Sequence, residues 1–115
     1  MVIDKEKFQE NFKHFDKELI VEIIDMFINE HPDRMAKIKK DIESSDMESL
    51  KFNAHSFKGV IANFMAELPK THAKILEEKA KLNDSNDLDS DYNNLLESTT
   101  ELLDNLKEIR MIYAN

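Results

Sequence analysis

Near the C-terminus, Tyr92, Leu95, Thr99, Leu102, Leu106, Ile109 and Tyr113 follow one another at steps of 3, 4, 3, 4, 3 and 4 residues. Steps of this kind keep side chains on one face of an α-helix and fit no β-strand, whose faces alternate every second residue. The same rhythm runs through Met47, Leu50, Ala54, Phe57, Ile61 and Phe64. It runs again through Ile20, Ile24, Phe27, Met35, Ile38 and Ile42, with His31 filling one of the apolar positions. One glycine and two prolines among abundant Lys, Glu, Leu and Ile agree with helix throughout. Each helix has an apolar stripe that must be buried against its neighbours. The fold class expected is all-α: an antiparallel four-helix bundle with a short extra N-terminal helix.

The boundaries follow from caps and breakers. Asp4 caps a short helix over residues 4–12, whose apolar edge is Phe8, Phe12 and Phe15. Asp16 caps the next helix, from about residue 17 to 44, which is either kinked near Pro32 or broken there. Ser45 and Glu48 have capping-box spacing, and Asp46 is a second candidate cap for a helix over about 47–65. Pro69 suits the first turn of a helix that runs to about Leu82. Asn83 to Asp87 is a polar turn, and the last helix spans about 89–113. With 115 residues and no linker or internal repeat, the chain reads as a single domain over 1–115.

Composition narrows the function classes. A net charge of −8 disfavours nucleic-acid binding, which needs clustered Lys and Arg. No apolar run approaches the roughly 20 residues that span a membrane, and no signal peptide is visible, so a cytoplasmic protein is expected. Cysteine is absent, which removes disulfides and thiol chemistry. One glycine cannot build a nucleotide-binding loop.

That one glycine, Gly59, lies inside the helical pattern of residues 47–65, where it costs about 1 kcal/mol relative to alanine. At about 100° per residue, the stripe centres between Ala54 and Phe57 and His55 points roughly 130° away from it. Gly59 points outward, and Ala62 lies within about 20° of His55 in projection. Lys58, at i+3, shares the flank of His55. Phe52, one turn earlier, also faces out, and a large apolar residue beside a bared helix surface marks a docking site. The plainer reading is a polar surface histidine and a helix-contact glycine, but Gly59 faces away from its own helix's apolar stripe.

The run Ala54-His55-Ser56-Phe57-Lys58-Gly59, followed by Asn63, Ala66, Ala73 and Leu76-Glu77, resembles the signature of histidine-containing phosphotransfer (HPt) domains. That signature is roughly Ala-His-x-Leu-Lys-Gly with a downstream Asn and then Leu-Glu. The match is closest over about 25 residues, and the helical pattern extends it over most of the chain. Phe57 stands for the usual Leu, Met65 for a common Gly and Pro69 for a common Leu.

The resemblance implies a phosphorelay intermediate with His55 as phosphoacceptor. His55 takes a phosphoryl group from a receiver-domain aspartyl phosphate and passes it to another response-regulator aspartate. A neutral imidazole is a good nucleophile near pH 7, and phosphoryl transfer is mainly positioning and charge stabilisation. Lys58 supplies positive charge to the phosphoryl oxygens. Glu77, 22 positions on, is implied to orient the imidazole; its plainer reading is a surface glutamate. Phe52, Ser56, Gly59, Ala62 and Asn63 form the expected partner-docking set. The expected partners are response-regulator receiver domains and a hybrid sensor histidine kinase. The receiver brings Mg²⁺, so no cofactor and no metal is expected on this chain. It is a phosphocarrier without autonomous kinase activity, and a monomer by default.

Two other classes compete. A ferritin-like metal-binding bundle needs Glu-x-x-His pairs, but Asn11, Ile28, Phe52 and Pro69 stand three before His14, His31, His55 and His72. His72 lies on the apolar stripe of its helix as a core or rim residue, and His14 and His31 look structural or solvated. A non-catalytic helical adaptor would use Phe52, Gly59 and Ala62 to seat a receiver or kinase domain, and phosphate uptake at His55 separates it from a carrier.

Overall fold

Three aspartates start three helices. The Asp4 carboxylate accepts from the Lys7 N–H at 3.1 Å, Asp16 from Leu19 at 2.8 Å and Asp46 from Ser49 at 3.0 Å. Each satisfies a backbone donor that the first turn leaves unpaired. The computed structural model describes residues 1–115, and these caps open α1 (Lys5–Phe12), α2 (Lys17–Glu43) and α3 (Met47–Ala62). Two more helices follow, α4 (Glu67–Lys81) and α5 (Leu88–Tyr113), and there is no strand. Of the two candidate caps for α3, Asp46 is the one used; Ser45 has a left-handed φ of 55° and belongs to the preceding turn.

Two further details differ from the expected boundaries or decide between them. α2 continues unbroken through Pro32. α3 stops at Ala62 rather than near residue 65, because Asn63, Phe64 and Met65 form the turn into α4. Met65 takes a φ of 56°, a left-handed conformation that costs a non-glycine residue about 1 kcal/mol. Glycine would meet this demand without strain, in keeping with the glycine common at this place in the HPt signature. The Met65 carbonyl accepts from the Asp4 N–H at 2.9 Å, tying the N-terminal segment to this turn.

The four long helices pack in a ring, α2 on α3, α3 on α4, α4 on α5 and α5 on α2. Short connections make the neighbours antiparallel. The molecule measures 45 × 22 × 20 Å, and the 27 residues of α2, about 40 Å at 1.5 Å per residue, span nearly all of its length. Leu50, Ala54, Phe57 and Ile61 turn the apolar stripe of α3 into the core. The Phe57 ring lies 5.9 Å from Phe27. On α1, Phe8 and Phe12 close one end of the bundle against Phe64, at 6.5 and 6.4 Å.

The α2–α5 seam carries polar pairs as well. Arg110 makes two hydrogen bonds to Asp25, at 2.6 and 3.1 Å. The hydrogen bond from Arg110, more than its charge, holds the Asp25 carboxyl below the usual range. His31 and Thr99 are both buried, 2.8 Å apart. Thr99 Oγ1 donates its single proton to the backbone, so it accepts from His31, which therefore carries its hydrogen on Nε2. No helix is long and apolar enough to cross a membrane.

Candidate functional site

The burial of one face of α3 fixes what the other face displays. With Ala54 and Phe57 in the core, His55 is turned outward and its side chain is 68% exposed. The antiparallel return through residues 63–66 then brings the middle of α4 alongside the middle of α3. Glu77 faces back toward α3, and its side chain is only 4% exposed. Its Oε2 lies 2.7 Å from His55 Nδ1. Its Oε1 accepts from Lys58 Nζ at 2.6 Å, and Lys58 is itself largely buried at 24% exposed.

The state of Glu77 follows from these contacts. Burial pushes its carboxyl up, and this is the largest single influence. Hydrogen bonds from Lys58 and His55, with the attraction of both groups, outweigh burial and hold the pKa below its ordinary value. Glu77 is therefore a carboxylate at neutral pH and offers acceptors alone. An acceptor 2.7 Å from Nδ1 requires the hydrogen to sit on Nδ1. The lone pair of the neutral ring is then on Nε2, at the exposed edge.

The remaining predicted residues are spread along α3 to its C-terminal end. Phe52, 72% exposed, lines one open depression with His55 and Glu77. Ser56 lies on the α2 side, where its hydroxyl accepts from Arg34 at 3.2 Å. The Arg34 guanidinium also stands 5.7 Å over the Phe57 ring. Gly59 is exposed, and a Cβ added to it meets nothing within 4 Å. No packing inside this molecule calls for glycine there. Ala62 is the last residue of α3 and is partly buried. Asn63 is the C-cap of α3, with its carbonyl bonded to Asn11 Nδ2 at 3.1 Å. Eight residues separate it from His55, about 12 Å along the axis, so the structure does not bring it to the imidazole.

His31 fills the apolar position that the spacing gave it, and His72 is partly buried at the rim. No three His, Cys, Asp or Glu side chains are grouped as metal donors. Sequence reading missed Arg34, Lys81 and the buried Asp41. Lys81 Nζ stands 3.6 Å from Glu77 Oε2. Asp41 accepts from Asn53 at 2.7 Å and braces α3 against α2. The signal for Lys81 was its i+4 spacing from Glu77, which places two side chains on one helix flank.

The family profile of the Hpt domain matches residues 22–110. The chain belongs to the Hpt domain family. The Hpt domain matched here includes His55, Lys58 and Glu77 and leaves α1 outside. It is thereby a phosphotransfer intermediate of two-component signalling, a family of phosphocarriers that interact with receiver and kinase domains. The crystal structure of histidine-containing phosphotransfer protein B (HptB) from Pseudomonas aeruginosa PAO1 is similar to this Hpt domain, with a TM-score of 0.88. The two are 22% identical over 96% of each chain, a likeness of fold. No curated protein matches the chain.

Proposed function

We propose that this Hpt domain accepts a phosphoryl group on Nε2 of His55 from the aspartyl phosphate of a receiver domain and passes it to the aspartate of another response regulator. The observation that carries this reading is the exposed imidazole whose Nδ1 is held at 2.7 Å by a buried carboxylate. The Nε2 lone pair forms a bond to phosphorus while the bond from phosphorus to the aspartyl oxygen breaks, and the carboxylate leaves with the electron pair. Nε2 has no proton to lose. Attack turns the ring into a cation, and the Glu77 carboxylate faces the charge that develops. Lys58 stays on Glu77 and lends its charge to the phosphoryl oxygens.

Phe52, Ser56, Gly59, Ala62 and Asn63 form the face on which a receiver docks. The bare surface at Gly59 lets a partner's active site approach the imidazole, and Asn63 contributes at the far edge of that face. The receiver supplies Mg²⁺ and the acceptor aspartate, and a hybrid sensor histidine kinase supplies the signal. The chain carries phosphate without kinase activity of its own, as a cytoplasmic monomer and a single domain over 1–115.

The test is transfer from a phosphorylated receiver domain of the same organism. Label that is acid-labile, alkali-stable and absent in His55→Gln, with the helical circular-dichroism signal unchanged, is the expected result. A folded chain that binds receivers and takes no label overturns the reading and leaves a non-catalytic adaptor that seats its partner around Phe52.

A further inference from the structure

Glu77 faces more positive charge than it can balance. Its Oε1 is held by Lys58 at 2.6 Å, while its Oε2 faces both Nδ1 of His55 at 2.7 Å and Nζ of Lys81 at 3.6 Å. Two ammonium groups thus share one carboxylate, at the edge of a depression that Asp46 and Glu48 also line.

The two lysines are held differently. Lys58 is hydrogen-bonded and largely buried, and removing it would leave a carboxylate that is 4% exposed short of its shortest contact. Lys81 is beyond hydrogen-bond distance of Glu77, and its side chain is 57% exposed. An exposed, long ion pair contributes little, so it is given up at little cost. Lys81 lines the same open depression as His55, Phe52 and Glu77.

A phosphoryl group brings about −1.5 to −2 of charge at pH 7 and three acceptor oxygens. One lysine already committed to Glu77 does not balance that. We propose that Lys81 is a phosphoryl-binding residue: it leaves Glu77 Oε2 and moves onto the phosphoryl oxygens at Nε2 of His55, while Lys58 remains on Oε1. The proposal rests on His55 being the phosphoacceptor. It divides the labour between two lysines, one fixing the carboxylate that holds the ring and one following the transferred group.

The test uses phosphoramidate, a small donor that needs no docking partner. The Nε2 lone pair attacks phosphorus, the P–N bond of the donor breaks, and ammonia leaves. Labelling rate and the ³¹P titration midpoint of the phosphorylated protein are read in wild type, Lys81→Met, Lys81→Arg and Lys51→Met. Lys51 lines the same depression and makes no ion pair with Glu77, so its substitution controls for net charge. Lys81→Met is expected to label about tenfold more slowly, the loss of one charge-assisted hydrogen bond. Its phosphoryl group should titrate at higher pH, because a cation that favours the dianion is gone. Lys81→Arg should restore both readings, and Lys51→Met should stay within about twofold of wild type. A Lys81→Met protein with wild-type rate and midpoint overturns the proposal, as does equal loss in Lys51→Met. Wild type that takes no label on His55 from any donor defeats the phosphoacceptor reading instead.

Discussion

Glu77 Oε2 and His55 Nδ1 stand 2.7 Å apart, yet one side chain is 4% exposed and the other 68%. The bond crosses from the bundle's interior to its surface. A rigid group inside thus sets the orientation and hydrogen placement of a ring outside, and leaves the ring's reactive edge in solvent. Nothing else in the structure hydrogen-bonds the imidazole.

Glu77→Ala should separate orientation from folding. Lys58 loses its partner but is close enough to the surface to turn outward, so the loss of stability should be about 1–3 kcal/mol. The ¹⁵N spectrum of the His55 ring is expected to show one tautomer, hydrogen on Nδ1, in wild type and a mixture in the variant. The stability that Glu77 contributes also has an acid limit. Because the folded Glu77 pKa lies below its ordinary value of 4.5, its contribution is complete above that pH and is lost as pH falls through the lower folded value. A single tautomer in Glu77→Ala at neutral pH would remove Glu77 from this role.

Gly59→Ala should stabilise the isolated protein. The added methyl meets no neighbour, and alanine removes the helix-interior cost of glycine. The gain should be about 1 kcal/mol, or about 4 °C in Tm. Gly59→Glu should keep most of that gain and slow transfer from a receiver by bulk and charge on the approach surface. Calorimetry on both variants and transfer rates on the second check the pair. A fall in Tm for Gly59→Ala would mean that the glycine serves folding after all.

The buried His31 should give the fold a pH dependence of its own. Burial holds its pKa below the ordinary 6.5, with Phe27, Phe57 and Thr99 packed around the ring. Below pH 6.5 the unfolded chain takes up a proton that the folded chain resists, so stability declines as pH falls toward the folded value and levels off above about pH 7. His31→Gln keeps a donor for Thr99 and does not titrate. Urea midpoints between pH 7 and 5.5 should slope in wild type and flatten in the variant; parallel slopes would assign the effect elsewhere.

Much of this architecture was legible because helices write their burial into spacing. Thr99 and His31 sat in apolar registers, and each proved buried, bonded to the other across the α2–α5 seam. Asp4, Asp16 and the outward face of His55 were legible for the same local reason. The end of α3 was not, because helical spacing persists through Phe64 while the turn is set by Met65 and its bond to Asp4, 61 residues away in the chain. Asp46 prevailed over Ser45 because the turn needed a left-handed residue just before it. Contacts between helices were the least visible. The spacing from His55 to Glu77 says nothing without the family signature, and Arg34 on Ser56 has no local pattern to announce it.

The imidazole of His55 opens to solvent at one edge, beside a single depression. In the proposed relay, donor and acceptor must each cover the same residues to reach it, so the two cannot occupy the chain together. A relay built on this helix works by exchange of partners, and each encounter must end before the next begins. Direction of flow is then a matter of supply: whichever partner is more abundant, or gives up its phosphate more readily, decides which way the traffic runs.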